Sequence, residues 1–520
     1  MSALSPWLAL VLCVAPAGEA TAASPEDGAA SGDGAASGDG AASEGGAASE
    51  PEAAPEGDAP ELASSLAVAP EGDAMAKPTR IQNERSVEPE PPVLELERPR
   101  VELRPGLMIM TRGQLTHTRS VDGEAATKLS LPVRLRPRLE LRVGRLRARA
   151  EFQDARTIAD PIGSARSGFH QLFVEYEAAL PRGALTVQAG RQEFVIGTSH
   201  IFGNAPWGPG MRSWDALRLR ADFEGGGGVD VFAGSLARPL LSASEPLVDH
   251  LRGEIDVDWR AAAHRPLAGE ALDVELSVWG RHSRDDAEAR NLYTPGLVAH
   301  GEPLAGLRYT LEGYLQTGTI DTLEDEWVRR RHLAGLTHLQ VEYLDPRGLG
   351  GGPSWEGVHL GGLARLDYAS GTQCTTTEVS GLTPCAEGAS HDFDSPWMAR
   401  HRWFGNADRF RALNVVDAAL GLQGRSKLGG VTLDLNLINH LFALPEPGGR
   451  WLDTGGKLVG VDPDNDDPWA ADELELQGRV RWGWLRFDLG WMLISYLSGG
   501  RHLTGEAQRH FAYAQVLVDF

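Results

Sequence analysis

The last twelve residues, Arg509 to Phe520 (RHFAYAQVLVDF), put Ala512, Ala514, Val516, Val518 and Phe520 on one side of an extended strand and end the chain on an aromatic. Apolar side chains on alternate positions can face lipid only when the backbone N–H and C=O groups of the strand are all paired. In hydrocarbon that requires a closed barrel without edges. One alternating strand decides little, but the pattern recurs through the preceding four hundred residues, broken by alternately short and long turn-rich segments.

Working back from the C-terminus, the alternation predicts strands near 105–118, 129–141, 145–156, 169–180, 184–196, 213–224, 229–237, 250–260, 271–282, 289–299, 304–317, 332–344, 357–370, 411–425, 430–443, 472–482, 484–497 and 508–520. Eighteen is an even number and returns both ends to one side of the membrane, as bacterial barrels require. Every second connection is tight, as at Leu180–Gly183 or Lys427–Gly430, while the intervening ones lengthen to Gly371–Phe410 and Leu444–Ala471. Short turns are expected in the periplasm and long loops outside. The segment 289–299, with Pro295 and Gly296 inside it, leaves a sixteen-strand reading open. The expected fold is therefore all-β, a transmembrane antiparallel barrel of about 18 strands (residues 96–520) preceded by a disordered N-terminal segment.

Composition fits this reading. Hydrophobic residues make up 42% of the chain and mean hydropathy is −0.25. Past the first residues no run approaches the ~18 apolar residues of a membrane helix. Trp7 to Ala17 followed by Ala20-Thr21-Ala22 reads as a signal peptide over residues 1–22, although no Lys or Arg precedes the apolar run. Residues 23–95 are Ala, Gly, Ser, Pro and acid, with DGAASG repeated at Asp27 and Asp33. Such a segment buries too little apolar surface to offset chain entropy and reads as an acidic tether. Residues 24–95 hold 16 Asp or Glu against Lys77, Arg80 and Arg85, so −13 of the net −23 belongs to the tether. Cys374 and Cys385, in a Thr/Gly/Pro-rich loop without paired His or Cys-x-x-Cys spacing, are expected to form a disulfide.

The polar face of the strands is unusually basic. In LPVRLRPRLELR, Val133, Leu135, Leu139 and Leu141 alternate with Arg134, Arg136, Arg138, Glu140 and Arg142. One turn later Arg145, Arg147, Arg149 and Glu151 alternate with Leu146, Ala148, Ala150 and Phe152, and Arg218, Arg220, Arg479 and Arg481 extend the set around the circumference. Guanidinium is always charged and forks onto carboxylates, so a ladder of it can hand an acidic polymer from one contact to the next. The alternative is that Glu140, Glu151, Asp222, Glu473 and Glu475, which share the face, pair with these arginines and stiffen the wall.

Several stretches resemble the alginate export family of outer-membrane barrels: QDAR (Gln153 to Arg156), GRQEFVIG (Gly190 to Gly197), WGPGMRSWDALRL (Trp207 to Leu219), DYASG (Asp367 to Gly371), RWFGNAD (Arg402 to Asp408) and DELEL (Asp472 to Leu476). The resemblance implies an eighteen-stranded outer-membrane channel with an Arg-lined constriction for an anionic exopolysaccharide, served by periplasmic export machinery. Arg191 joins the candidate conduit on this ground. Alternation from Leu185, Val187 and Ala189 aims it at lipid, and only a bulge at Gly190 would turn it inward.

No catalytic constellation emerges. Ser199-His200 lacks a nucleophile elbow, so an outer-membrane hydrolase, like an adhesin built on the long loops, has no residues to carry it. A small-solute porin is the nearer alternative. The loop Asp462–Asp467 concentrates acid, but Asp467 stands where a calcium-binding loop needs Gly, and a solvated loop is the better reading. No metal site or cofactor is expected, and the arginines, buried in alternating strands, give no exposed face for nucleic acid.

Overall fold

A computed structural model describes residues 100–158, 166–208, 211–237, 257–284, 288–323, 327–352, 355–372, 389–395, 397–399, 401 and 403–520. The signal, the tether and both loop cysteines lie outside these residues. The described chain forms a closed, antiparallel 18-strand barrel. Its seam joins the first strand, Val101–Ser120, to the last, Glu506–Asp519, from Met108↔Asp519 to Ser120↔Glu506. On its other side Val101–Ser120 meets a strand interrupted at Leu131, giving Ala125–Ser130 and Pro132–Val143. The register runs through the break, since Gln114↔Ser130 and Thr111↔Val133 are in step. Pro132, which has no N–H to give, accounts for the interruption.

The alternation is realised as lipid face and lumen face. In Val431–Ala443, Leu433, Leu435 and Leu437 stand on the outside, Leu435 being 56% exposed, while Asp434, His440 and Phe442 are buried within. The outer surface is Leu- and Val-rich, with Trp482, Trp484, Tyr343 and Phe520 exposed at the end that carries the short turns. Aromatic rings of this kind settle at lipid headgroup level. The two-residue turns reverse the chain through Gly429 and Gly483, at φ 56° and 54°, where an L side chain would be strained.

Several boundaries moved. The strand expected at 250–260 is Val257–Pro266, and the one at 411–425 is Val415–Leu428. The doubtful segment is a full strand, Glu288–Leu304, which removes the sixteen-strand alternative. Its ladder to Leu307–Leu323 passes from Tyr293↔Thr317 to Gly296↔Tyr314, so Pro295 sits in a gap where no donor is needed.

The long loops lie at the other end. They were expected on the extracellular side, and the described residues of 193–213 and 389–414 fold inward at that mouth. A hydrophobic core forms there, with Phe194, Phe202, Trp214, Phe232 and Trp279 on one side and Phe404, Phe410, Phe442 and Trp451 on the other. Phe410 stacks between Phe442 and Trp451 at 4.0 and 4.6 Å.

Candidate functional site

The inward loops are fastened to the barrel wall by polar clamps at four places. Arg112, fully buried, lies over the Trp207 ring and donates to the Trp207 carbonyl at 3.1 Å. Arg134 donates to the carbonyls of Pro206 (3.0 Å) and Gly208, and Arg136 reaches Glu193 at 3.2 Å as well as Gln153 and Glu151 on the wall. At the far wall, His200 is enclosed by Glu312 and Asp367. Glu473 and Glu475 accept the backbone N–H groups of Asn406 and Ala407, and Glu475 also takes the Asn406 amide. Gly405 is required at this clamp, because its φ is +75° and a Cβ would lie 2.6 Å from Glu473 Oε2. The fourth clamp is Asp394 with Arg281 (2.6 Å) and Arg290 (3.2 Å), beside Asp392 with Arg450.

Charge state follows from these surroundings. Burial pushes the Asp394 carboxyl up, but Arg281, Arg290 and Arg411 outweigh it and bring it down to about 2. Glu193 is likewise held well below the usual carboxylate range, burial being overcome by His170 and Arg136. Asp408 goes the other way, because burial prevails over its His401 partner. Among the described residues, all six non-glycine positive-φ positions (Ser199, Ala205, His401, Phe404, Asp408 and Asn414) fall in the inward loops. Left-handed backbone at such residues costs about 1–3 kcal/mol each and persists only where packing enforces it.

The sequence-predicted arginines divide into three groups. Arg134 and Arg136, 2% and 3% exposed, belong to the loop clamps rather than to an open wall. Below the loops, Arg138 pairs with Asp519 (2.6 Å), Arg142 with Glu140 (3.6 Å), Arg147 with Glu140 and Glu175 (3.1 and 3.3 Å) and Arg149 with Glu151 (2.5 Å). Arg218 forks onto Asp230, Arg220 meets Asp222 at 2.9 Å, Arg479 meets Asp488 at 2.5 Å and Arg481 meets Asp434 at 3.0 Å. The third group is off the path. Arg145 sits in the turn before Leu146–Thr157, and Arg191 is on the outer face. No bulge forms at Gly190, so Arg191 stays in register with lipid-facing Leu172 and with Asp215, which it grips through two 2.8 Å bonds. Its place in the conduit is thereby corrected.

Sequence reading passed over Arg112, Arg365, Arg425 and Arg486, although all four obey the same alternation. Arg425 shares Asp434 with Arg481, and Arg486 shares Asp488 with Arg479. The short motifs quoted above, spread over some three hundred positions, converge on the clamps. Glu193, Trp207, Asp367, Asn406, Glu473 and Glu475 each hold a loop to the wall, and Gln153 braces Arg136 of the first clamp.

The model of one family, described as alginate export, matches residues 102–488, which takes in every clamp and all of the wall except the last strand, Glu506–Asp519, and most of the one before it, Leu485–Tyr496. The chain belongs to the alginate export family. It is an outer-membrane channel protein by family and by fold. Among proteins of curated function none matches it. Solved structures similar to this alginate-export barrel include Pseudomonas aeruginosa OccD3 (OpdP), at 9% identity and TM-score 0.45 over 80% of this chain and 91% of that one. Acinetobacter baumannii OccAB1 follows at 12% and 0.45 over 80% and 97%. Pseudomonas aeruginosa OccK2 (OpdF), solved in complex with glucuronate, stands at 11% and 0.42 over 80% and 96%.

Proposed function

We propose that this channel passes an anionic polysaccharide of the uronic-acid type from the periplasm to the cell exterior. One observation carries the reading: the arginines below the loops are each seated against a wall carboxylate, Arg147, Arg149, Arg218 and Arg479 among them. A uronate is itself a carboxylate. It can replace the wall's own acid in the guanidinium fork at little net cost, and the displaced acid recaptures the arginine when the sugar moves on. An unpaired arginine row would bind the polymer and hold it, whereas a paired row lets it slide. Passage requires the inward loops to shift, and the strained residues they contain supply a reason for them to do so.

A second reading, a channel for small solutes, is favoured by the same pairing, because paired charges leave the wall close to neutral. The two separate in planar bilayers. Polysaccharide export expects oligouronates to block ionic current from the periplasmic side at low salt, and Arg147→Glu with Arg149→Glu to relieve the block. Current indifferent to oligouronates but sensitive to monomeric solutes moves the reading to the small-solute channel.

A further inference from the structure

Four side chains meet where loop 193–213 touches the far wall, and the transport reading makes no use of their chemistry. His200 comes from the loop, Glu312 from Leu307–Leu323, His338 from Trp327–Leu344 and Asp367 from Trp355–Ala369. None has any exposed side-chain surface. His200 Nε2 lies 3.2 Å from Asp367 Oδ1, and His338 Nδ1 lies 2.6 Å from the same oxygen. On its other side His200 turns Nδ1 to Glu312 Oε2 at 3.3 Å and to Thr198 Oγ1 at 2.5 Å. Among the described residues no hydrogen bond satisfies His200 Nε2, and an orphaned imidazole nitrogen in a sealed interior calls for a partner.

We propose that His200, His338 and Asp367 bind a divalent transition ion of the zinc class, with Glu312 holding the outer nitrogen of His200. Two imidazoles and one carboxylate suit such an ion, whereas calcium and magnesium want oxygen alone. The ligand atoms of the three lie within 4.8 Å of one another. With metal–ligand bonds of about 2.0 Å, tetrahedral neighbours stand ~3.3 Å apart. The His200–Asp367 pair already has that spacing, and the His338–Asp367 pair has only to open by several tenths of an ångström. A carboxylate behind a ligating histidine fixes its tautomer and raises its basicity, which is the place Glu312 takes. The arrangement is not shared by the other buried cluster, Glu151, His170 and Glu193. There a single imidazole meets two carboxylates, and Arg136 lies 3.3 and 3.2 Å from both, whereas at His200 Arg365 lies 3.5 Å from Asp367 Oδ2 and leaves Oδ1 to the two imidazoles. An ion at His200 would join an inward loop to two wall strands, cross-linking the closed mouth of the channel.

The test is titration of the full-length, detergent-folded, chelator-stripped barrel with Zn²⁺, and with Co²⁺ for its visible absorption. One tight equivalent is expected, with a low-symmetry Co²⁺ spectrum and slower proteolysis of loop 193–213. His338→Gln and Asp367→Asn should each weaken binding at least ~100-fold and Glu312→Gln by ~10–100-fold, while His170→Gln leaves it unchanged. Each variant is checked for the compact, heat-modifiable band before titration. Absence of a saturable equivalent in the folded wild type overturns the proposal. So does binding that survives both His338→Gln and Asp367→Asn, or binding lost only with His170→Gln.

Discussion

Arg112 lies over Trp207: its Cζ stands 3.1 Å from the ring centroid, and its Nη2 donates to the Trp207 carbonyl at 3.1 Å. A wall arginine thus grips a loop residue by both its face and its backbone. A desolvated cation–π contact of this kind is worth about 2 kcal/mol or more, and lysine cannot reproduce the guanidinium's contact. Arg112→Lys and Arg112→Ala are therefore expected to free loop 193–213 while the barrel stays folded. Single-channel recordings should show a longer-lived open state and trypsin should cut the loop faster. Identical gating in wild type and Arg112→Ala would show that the loop is held elsewhere.

Charge reversal at the wall should act on selectivity. Arg147 pairs with wall groups below the clamps, Arg149 meets Glu151, which Arg136 also meets, and Arg218 forks onto Asp230 with its guanidinium 5.4 Å from the Phe194 ring. Changing all three to Glu alters formal wall charge by six units. The reversal potential in a salt gradient should shift toward cation preference at low ionic strength and shift less at 1 M salt, where the screening length is about 3 Å. A shift of equal size at both salts would indicate a rearranged pore.

Acid should loosen the mouth of the channel. Asp394 is ionised down to about pH 2 when seated among Arg281, Arg290, Arg411 and His332, but only to its ordinary value once released. Because the seated pKa is the lower one, the attachment is fully stabilised above the released value and fades as pH falls from ~4 toward 2. That difference corresponds to about 2 kcal/mol. Glu193 titrates in the same sense. Proteolysis of the inward loops by an acid protease, or channel opening in bilayers, should rise across that window. Asp394→Asn should show the released behaviour already at neutral pH and a flatter profile. An unchanged profile in the variant would remove Asp394 from the clamp.

Cys374 and Cys385 fall outside the described residues, within the loop that connects Trp355–Ala369 to Val415–Leu428. Their spacing in an exported chain predicts a disulfide. A thiol reagent that cannot cross membranes should fail to label intact cells until reductant is added. Labelling of both cysteines beforehand would show them free.

The barrel was legible because a strand in lipid has no choice of face. In LPVRLRPRLELR each leucine must be outside, so each arginine must be inside, and the parity survives even the break at Pro132. The turns were legible through Gly429 and Gly483. The inward loops were not, since a loop has no period to read. One signal was present all the same: Phe393, Trp397, Trp403, Phe404 and Phe410 are too apolar for segments that face water, and a core to receive them could have been inferred. The pairing of the arginines was legible in part, since Glu140, Glu151 and Asp222 share their face in the sequence and do meet Arg147, Arg149 and Arg220. Asp519, Asp230 and Asp488 become their neighbours only through cross-strand register, and register is set by the whole closed sheet. Arg191 illustrates the opposite error, in which a family expectation was preferred to an alternation that was correct.

The seam between the first and last strands has a consequence for biogenesis. Leu107 and Phe520 exchange backbone hydrogen bonds of 2.8 and 3.2 Å at the rim that carries the short turns. Until Phe520 has been delivered, the sheet has two open edges, and every partly made barrel is a strand-pairing template for its neighbours. Closure is therefore a single late event that depends on the final dozen residues. The same adjacency means that a few added residues could join the two ends, and the chain could be opened instead at Gly429–Gly430. A barrel reconnected in that way keeps its wall and its lumen and changes only the order in which its strands are born.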